Sequence, residues 1–150
     1  MSEPGRGPGP IAQSEQAIVE LLAASQFGVL ASRKRDGTPH LATMVYAWDP
    51  DIRILRFSSV DDRVKPRHFR ADPHGALHVS TADHMKFAVA EGTVEVTGPS
   101  AAPGDEVGLE LLSMQPAVTE RDRFLQNMVE DRRVVIRLHA NHLYGGGLAV

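Results

Sequence analysis

The sequence predicts a mainly β domain with peripheral helices, in which six short antiparallel strands form a closed or split Greek-key barrel. Three observations carry this. Asp36-Gly37 between two apolar runs is a strong hairpin signal, because both residues tolerate the positive φ of a tight turn. Met85 to Thr97 alternates, with Ala88, Ala90, Gly92, Val94 and Val96 on one face and Glu91, Thr93, Glu95 and Thr97 on the other. No G-x-G-x-x-G, phosphate-binding loop or alternating βα pattern supports a nucleotide-binding parallel sheet.

The elements follow in order. Residues 1–12 are expected as a disordered Gly/Pro-rich tail and 13–150 as one folded domain, since the first ten positions hold three glycines and three prolines. Ser14 is a plausible N-cap for a short amphipathic helix to about Ser25, with Ile18, Leu21 and Leu22 at helical spacing. Strands are expected at Phe27–Arg33, Thr38–Trp48 and Ile52–Ser59, the last two joined by the turn Asp49-Pro50-Asp51. Asp62 to Arg70 reads as a short basic helix carrying Arg63, Lys65, Arg67 and Arg70 around Pro66. Ala76–Ser80 and Met85–Thr97 are the next strands, the long one bent at Gly92. Helices at Pro103–Met114 and Glu120–Glu130 follow, the second opened by a Thr119/Asp122 capping box, and Arg133–Leu138 is the sixth strand.

Composition excludes several functions. The 150 residues are 42% hydrophobic and 23% charged, which fits one globular domain. A net charge of -3 and a pI near 6.1 leave no overall field for nucleic acid. With no cysteine there is no disulfide, thiolate nucleophile or zinc-thiolate site. No apolar run suits a membrane span or a signal peptide, so the chain is expected in the cytoplasm. The serines sit in no nucleophile elbow, and the seven histidines form neither a triad nor metal-ligand spacing, so no metal is expected.

The Arg63–Arg70 segment is the informative one. A basic helix after a strand ending in Ser58-Ser59 gathers hydroxyls, backbone N–H groups and cationic heads, which suits a phosphate on a small molecule. The plainer alternative is a solvated helix face paired with Asp61, Asp62 and Asp72.

The ordered set Gly28-Val29-Leu30-Ala31, Asp36-Gly37-Thr38-Pro39-His40, Trp48-Asp49-Pro50, Arg63-Val64-Lys65, Phe69-Arg70-Ala71-Asp72-Pro73 and Ala90-Glu91-Gly92 resembles the pyridoxamine 5′-phosphate oxidase-like split β-barrel superfamily. With Asp131-Arg132-Arg133-Val134 and His142-Leu143-Tyr144-Gly145 it is most similar to the actinobacterial deazaflavin (coenzyme F420)-dependent branch. The resemblance implies an FMN-binding type of split barrel and a homodimer with cofactor in grooves at the interface. It implies phosphate binding by Arg63 and Lys65 beside Ser58 and Ser59, and a ring lined by the strand at Thr43, Met44 and Val45. It also implies that Met85 and Lys86 reach the partner protomer's cofactor, although His84-Met85-Lys86 stands where relatives often carry an aromatic.

The activity so implied is hydride transfer from reduced F420 to an electron-poor small molecule of the enone, quinone or tetrapyrrole class. The alternatives are an FMN-dependent oxidase or reductase, and a non-catalytic flavin-, deazaflavin- or heme-binding protein. No catalytic residue is assigned. Tyr46 and His40 qualify as proton donors on residue type alone. Arg67, Arg70 and Lys86 offer extra positive charge for a polyanionic tail.

Overall fold

A computed structural model describes residues 10–148 of the chain. The elements are β1 (Pro10–Ala12), α1 (Glu15–Ala24), β2 (Phe27–Arg33), β3 (Pro39–Val45), β4 (Ala47–Asp49), β5 (Ile54–Val60), α2 (Val64–Ala71), β6 (His74–Ser80), β7 (Lys86–Val96), α3 (Glu106–Ser113), α4 (Arg121–Glu130), β8 (Arg133–His139) and β9 (His142–Leu148). Every strand pairing is antiparallel. The path runs β3-β2-β6-β7-β8-β5-β4, with β9 on β7 and β1 on β9. This curled sheet is a half-barrel of the split-barrel kind, and the described residues are mainly β with four helices.

Among the described residues nine strands stand where six were expected, for two physical reasons. The expected strand Thr38–Trp48 breaks at Tyr46, whose ring enters the core and whose hydroxyl donates to the Leu22 carbonyl at 2.6 Å. The segment before it therefore stays on β2 while Ala47–Asp49 moves to β5. The other two strands, β1 and β9, pair with each other, and β9 runs through Gly145-Gly146-Gly147, which has little intrinsic strand preference. Close approach explains those glycines: a Cβ on Gly145 would lie 2.5 Å from the Phe87 carbonyl oxygen. Of the expected tail 1–12, residues 1–9 lie outside the described residues, and Pro10–Ala12 form β1.

The bend at Gly92 is a register change. Val94 pairs with Leu138 and Glu91 with His142, so His139, Ala140 and Asn141 stand opposite only Gly92 and Thr93. This bulge lets β8 and β9 follow one another along the same edge of β7 while β8 turns its other edge to β5. The Asn141 side-chain oxygen accepts from the Thr93 N–H at 3.0 Å, replacing a ladder bond.

The core gathers inside the curl. Leu30, Leu55, Phe57, Leu77, Ile136 and Leu138 come from the strands, Leu22 from α1 and Phe69 from α2. Ser14 caps α1 as its position predicts, its hydroxyl accepting from the Ala17 N–H. The Thr119/Asp122 capping box does not form: α4 starts one residue later, at a Glu120 N-cap with no side-chain bond. Among the described residues no helix is long and apolar enough to cross a membrane.

Helix α3 is tied to the sheet by charge. Glu110 accepts from Arg56 Nε at 2.8 Å and from both Nε (2.8 Å) and Nη2 of Arg137, joining α3 to β5 and β8. Burial pushes the Glu110 carboxyl up, but the two guanidiniums outweigh it and hold the group below the usual range. A carboxylate depressed in the folded state stabilises the fold above its unfolded pKa and loses that contribution as the pH falls through its folded pKa. Glu110→Gln is therefore expected to cost about 1–2 kcal/mol at pH 7. The deficit in urea unfolding should shrink in acid, and an equal deficit at pH 3 and pH 7 would contradict the assignment.

Candidate functional site

The basic helix places two kinds of cation on two faces. Residues Lys65 and Phe69, one turn apart, both point into the protein, so a lysine ammonium is carried into the interior at 5% exposure. Arg63, the N-cap of α2, stays exposed beside it. Both border an open cleft of about 380 Å³. One wall is the face of β3 bearing His40, Ala42 and Met44; another is the end of β5 at Ser58, Ser59 and Val60. Val64 of α2 and Arg133, the first residue of β8, complete the lining.

The electrostatics are one-sided. Among the described residues, no carboxylate pairs with Arg63, Lys65 or Arg133, whereas Arg70 is held by Asp61 at 2.6 Å and Arg33 by Asp72 at 2.8 Å. The plain ion-paired helix face thus describes Arg70 but not Arg63 or Lys65. Arg133 Nε and His40 Nδ1, of two residues lining the cleft, are buried without a hydrogen-bond partner, a costly state. Lys65 Nζ donates to Ser32 Oγ at 2.9 Å and to the His40 carbonyl. Burial pushes its pKa down to about 8.

Three cations without counter-ions beside the apolar side chains of Ala42, Met44, Val60 and Val64 suit a ligand that is anionic at one end and apolar at the other. A larger hollow of about 630 Å³ is lined by Arg33, Lys34, Arg35, Arg67, His68, Ala71 and Asp72. Among its described lining residues Ala71 alone is apolar, against four in the smaller cleft, so we place the candidate site in the smaller cleft.

Of the residues read from sequence, the structure gathers Met44, Ser58, Ser59, Arg63 and Lys65 at this cleft. Thr43 and Val45 alternate away from Met44 and are exposed on the outer face of β3. Lys86 opens β7 and pairs with Gly147, Met85 precedes it, and neither borders the cleft. Tyr46 is committed to the core, its phenol pushed up to about 12 by burial, so it is no proton donor here. Sequence reasoning missed Ala42, Val60, Val64 and Arg133 as lining residues. The period of two along β3 could have given Ala42, because it must share a face with Met44. Arg133 comes from across the sheet through the β5–β8 register, which has no local signal.

Solved structures share this fold. An F420 reductase is 25% identical, covering 83% of this chain and 93% of its own, with a TM-score of 0.60. A conserved hypothetical protein of Mycobacterium tuberculosis is 23% identical over 89% of this chain and 84% of its own, with a TM-score of 0.66. An FAD-binding protein of Mesorhizobium loti is 17% identical over 96% of this chain and all of its own, at 0.65. Residues 14–145, most of the folded domain, match the model of the pyridoxamine 5′-phosphate oxidase family, and with the split barrel and its cationic cleft in place, the chain belongs to that family.

Proposed function

We propose that the protein is a deazaflavin (coenzyme F420)-dependent oxidoreductase of the cytoplasm, reducing an electron-poor small molecule of the enone, quinone or tetrapyrrole class. The observation that carries the reading is the cleft itself, where Arg63, Lys65 and Arg133 lack counter-ions and Arg133 Nε is buried unpaired beside an apolar wall. Similarity to an F420 reductase supports deazaflavin over FMN, which offers the same phosphate and tricycle.

When bound, the reduced deazaflavin supplies a hydride, two electrons and a proton, to the acceptor. The chain's own part is to hold and to exclude water. Arg63, Lys65 and Arg133 would anchor the phosphate, with Ser58 and Ser59 beside them. The side chains of Ala42, Met44, Val60 and Val64 would keep the ring against a dry surface and fix its orientation. His40 is the one titratable side chain other than the cations at this wall, and burial holds its pKa down, so it is neutral at pH 7. The second proton of a reduction is then drawn from water.

The site is completed by a second copy of the chain in this reading. Strand β3 ends the sheet path, and its outer face carries Leu41 and Val45, 63% and 60% exposed. Val45 pairs with Phe27, also 60% exposed, so the two form an apolar pair on adjacent strands, with Leu41 beyond Thr43 on the same face. An edge strand with such a face needs cover. A homodimer provides it and would let Met85 and Lys86 approach the partner's cleft. Leu41→Glu is expected to convert the dimer to a monomer by light scattering during gel filtration; a wild-type chain that runs as a monomer at micromolar concentration would rule this out.

The reading itself is tested by anaerobic titration of the purified protein with F420 and, separately, FMN, following fluorescence quenching. Tight F420 binding with weak FMN binding supports it, and the reverse order moves the protein to the FMN-dependent reading. Binding of neither refutes both.

A further inference from the structure

We propose that Ser32 and His68 are positioning residues that hold the Lys65 ammonium in place for the anion it binds in the cleft; this rests on the cofactor reading above. Ser32 lies on β2 at 2% exposure, and its Oγ accepts from Lys65 Nζ at 2.9 Å. Its own hydroxyl proton then needs an acceptor, and His68 Nδ1 stands 2.9 Å from the same oxygen. Pointing it at Nδ1 satisfies that proton, with His68 as the neutral tautomer carrying its hydrogen on Nε2. Lys65 Nζ spends a second N–H on the His40 carbonyl, leaving one of its three for the cleft it borders.

The surroundings keep this chain of donors in one direction. Around the ammonium stand His40 from β3, His68 and Arg67 from α2, Arg63 at the N-cap of α2, Arg133 from β8 and Lys34 in the β2–β3 turn. The one carboxylate lining the hollow beside His68 and Arg67, Asp72, is paired with Arg33 and His74, so among the described residues the Lys65 ammonium is held by neutral oxygen acceptors. Burial first, then Lys65, Arg67 and Lys34, push His68 below its ordinary pKa, so it is neutral and able to accept at pH 7. The His40 and His68 rings meet edge to face at 5.3 Å, which packs His68 against the strand that supplies the second acceptor.

A lysine with a lowered pKa is charged, and can bind an anion, below that pKa and loses the ability as the pH rises through it. Removing an acceptor from the ammonium lowers the pKa further and brings the loss to lower pH. The chain has three lysines, Lys34, Lys65 and Lys86, so the ε-carbon signals of the full-length, ligand-free protein labelled with ¹³C-lysine can be followed singly. Lys65→Met identifies the Lys65 signal.

In the wild type that signal should titrate near pH 8. Ser32→Ala is expected to move its midpoint down by about one pH unit, equivalent to one hydrogen bond to a charged group, and His68→Leu, which leaves Ser32 Oγ in place without its orienting acceptor, to move it the same way by a smaller step. His68→Asn, which returns an acceptor to the position of Nδ1, should restore the wild-type midpoint. F420 affinity should fall about tenfold per pH unit above the midpoint, with this limb moving in step in the variants. An unmoved midpoint in both Ser32→Ala and His68→Leu overturns the positioning role, whatever their affinity. Unchanged F420 and FMN affinity in Lys65→Met would instead overturn the cofactor reading, and this inference with it, even if the titrations behave as stated.

Discussion

Gly92→Ala should destabilise the protein by about 3 kcal/mol or more, the upper range for forcing atoms into a packed site. A Cβ there would lie 1.9 Å from the His139 carbonyl oxygen and 2.3 Å from Asn141 Oδ1. The first is backbone and cannot swing away. Relief requires moving β8 off β7 at the bulge where the strand changes partner, which also disturbs the Asn141 bond to Thr93. Gly98→Ala is the matched control, since a Cβ at Gly98 meets nothing within 4 Å, and should change stability by less than about 0.5 kcal/mol. Urea unfolding of the two variants checks this directly. Equal, small losses would mean that the bulge is not a fixed part of the fold.

Lys65→Ala and Arg63→Ala should each weaken F420 binding by about 1.5–3 kcal/mol, the scale of a charge-assisted hydrogen bond lost from a phosphate. That is roughly tenfold to more than a hundredfold in Kd. Arg70→Ala belongs in the same series because Arg70 sits on the same helix but is engaged by Asp61 and the Thr97 carbonyl. Its removal should leave the Kd within about twofold, the range expected of an exposed ion pair remote from the ligand. A comparable loss in all three variants would point to bulk positive charge along α2 in place of a built anchor. No loss in Lys65→Ala and Arg63→Ala would remove the anchor from this cleft.

Much of the fold was legible because its signals are local. The Asp36-Gly37 turn, with Gly37 at φ 89°, set the β2–β3 hairpin, and the Ser14 cap set the start of α1. Both are properties of a few adjacent residues. What stayed hidden depends on distant chain. The break at Tyr46 exists because the Leu22 carbonyl waits for its hydroxyl, and β9 exists because β7 offers an edge close enough to require glycine. The site divides in the same way. Arg63, Lys65, Ser58 and Ser59 form a contiguous basic and hydroxyl-rich stretch that reads as an anion site, while Arg133 arrives by strand pairing. Nothing in the spacing of Ser32, His40 and His68 announces that one buried lysine will be held among them.

The pairing of β5 with β8 also bears on time as well as on structure. The contact of Arg132 with Asp61, beside the cleft, joins residues 71 positions apart, with β6, β7, α3 and α4 all lying between them. Closing so large a loop is slow, and the cleft has its Arg63 and Arg133 sides together only once it is closed. A ligand bound there contacts little of a partly folded chain. It should leave the refolding rate almost untouched and act on the opposite arm, slowing the escape from the native state and lengthening the life of the protein under denaturant or protease.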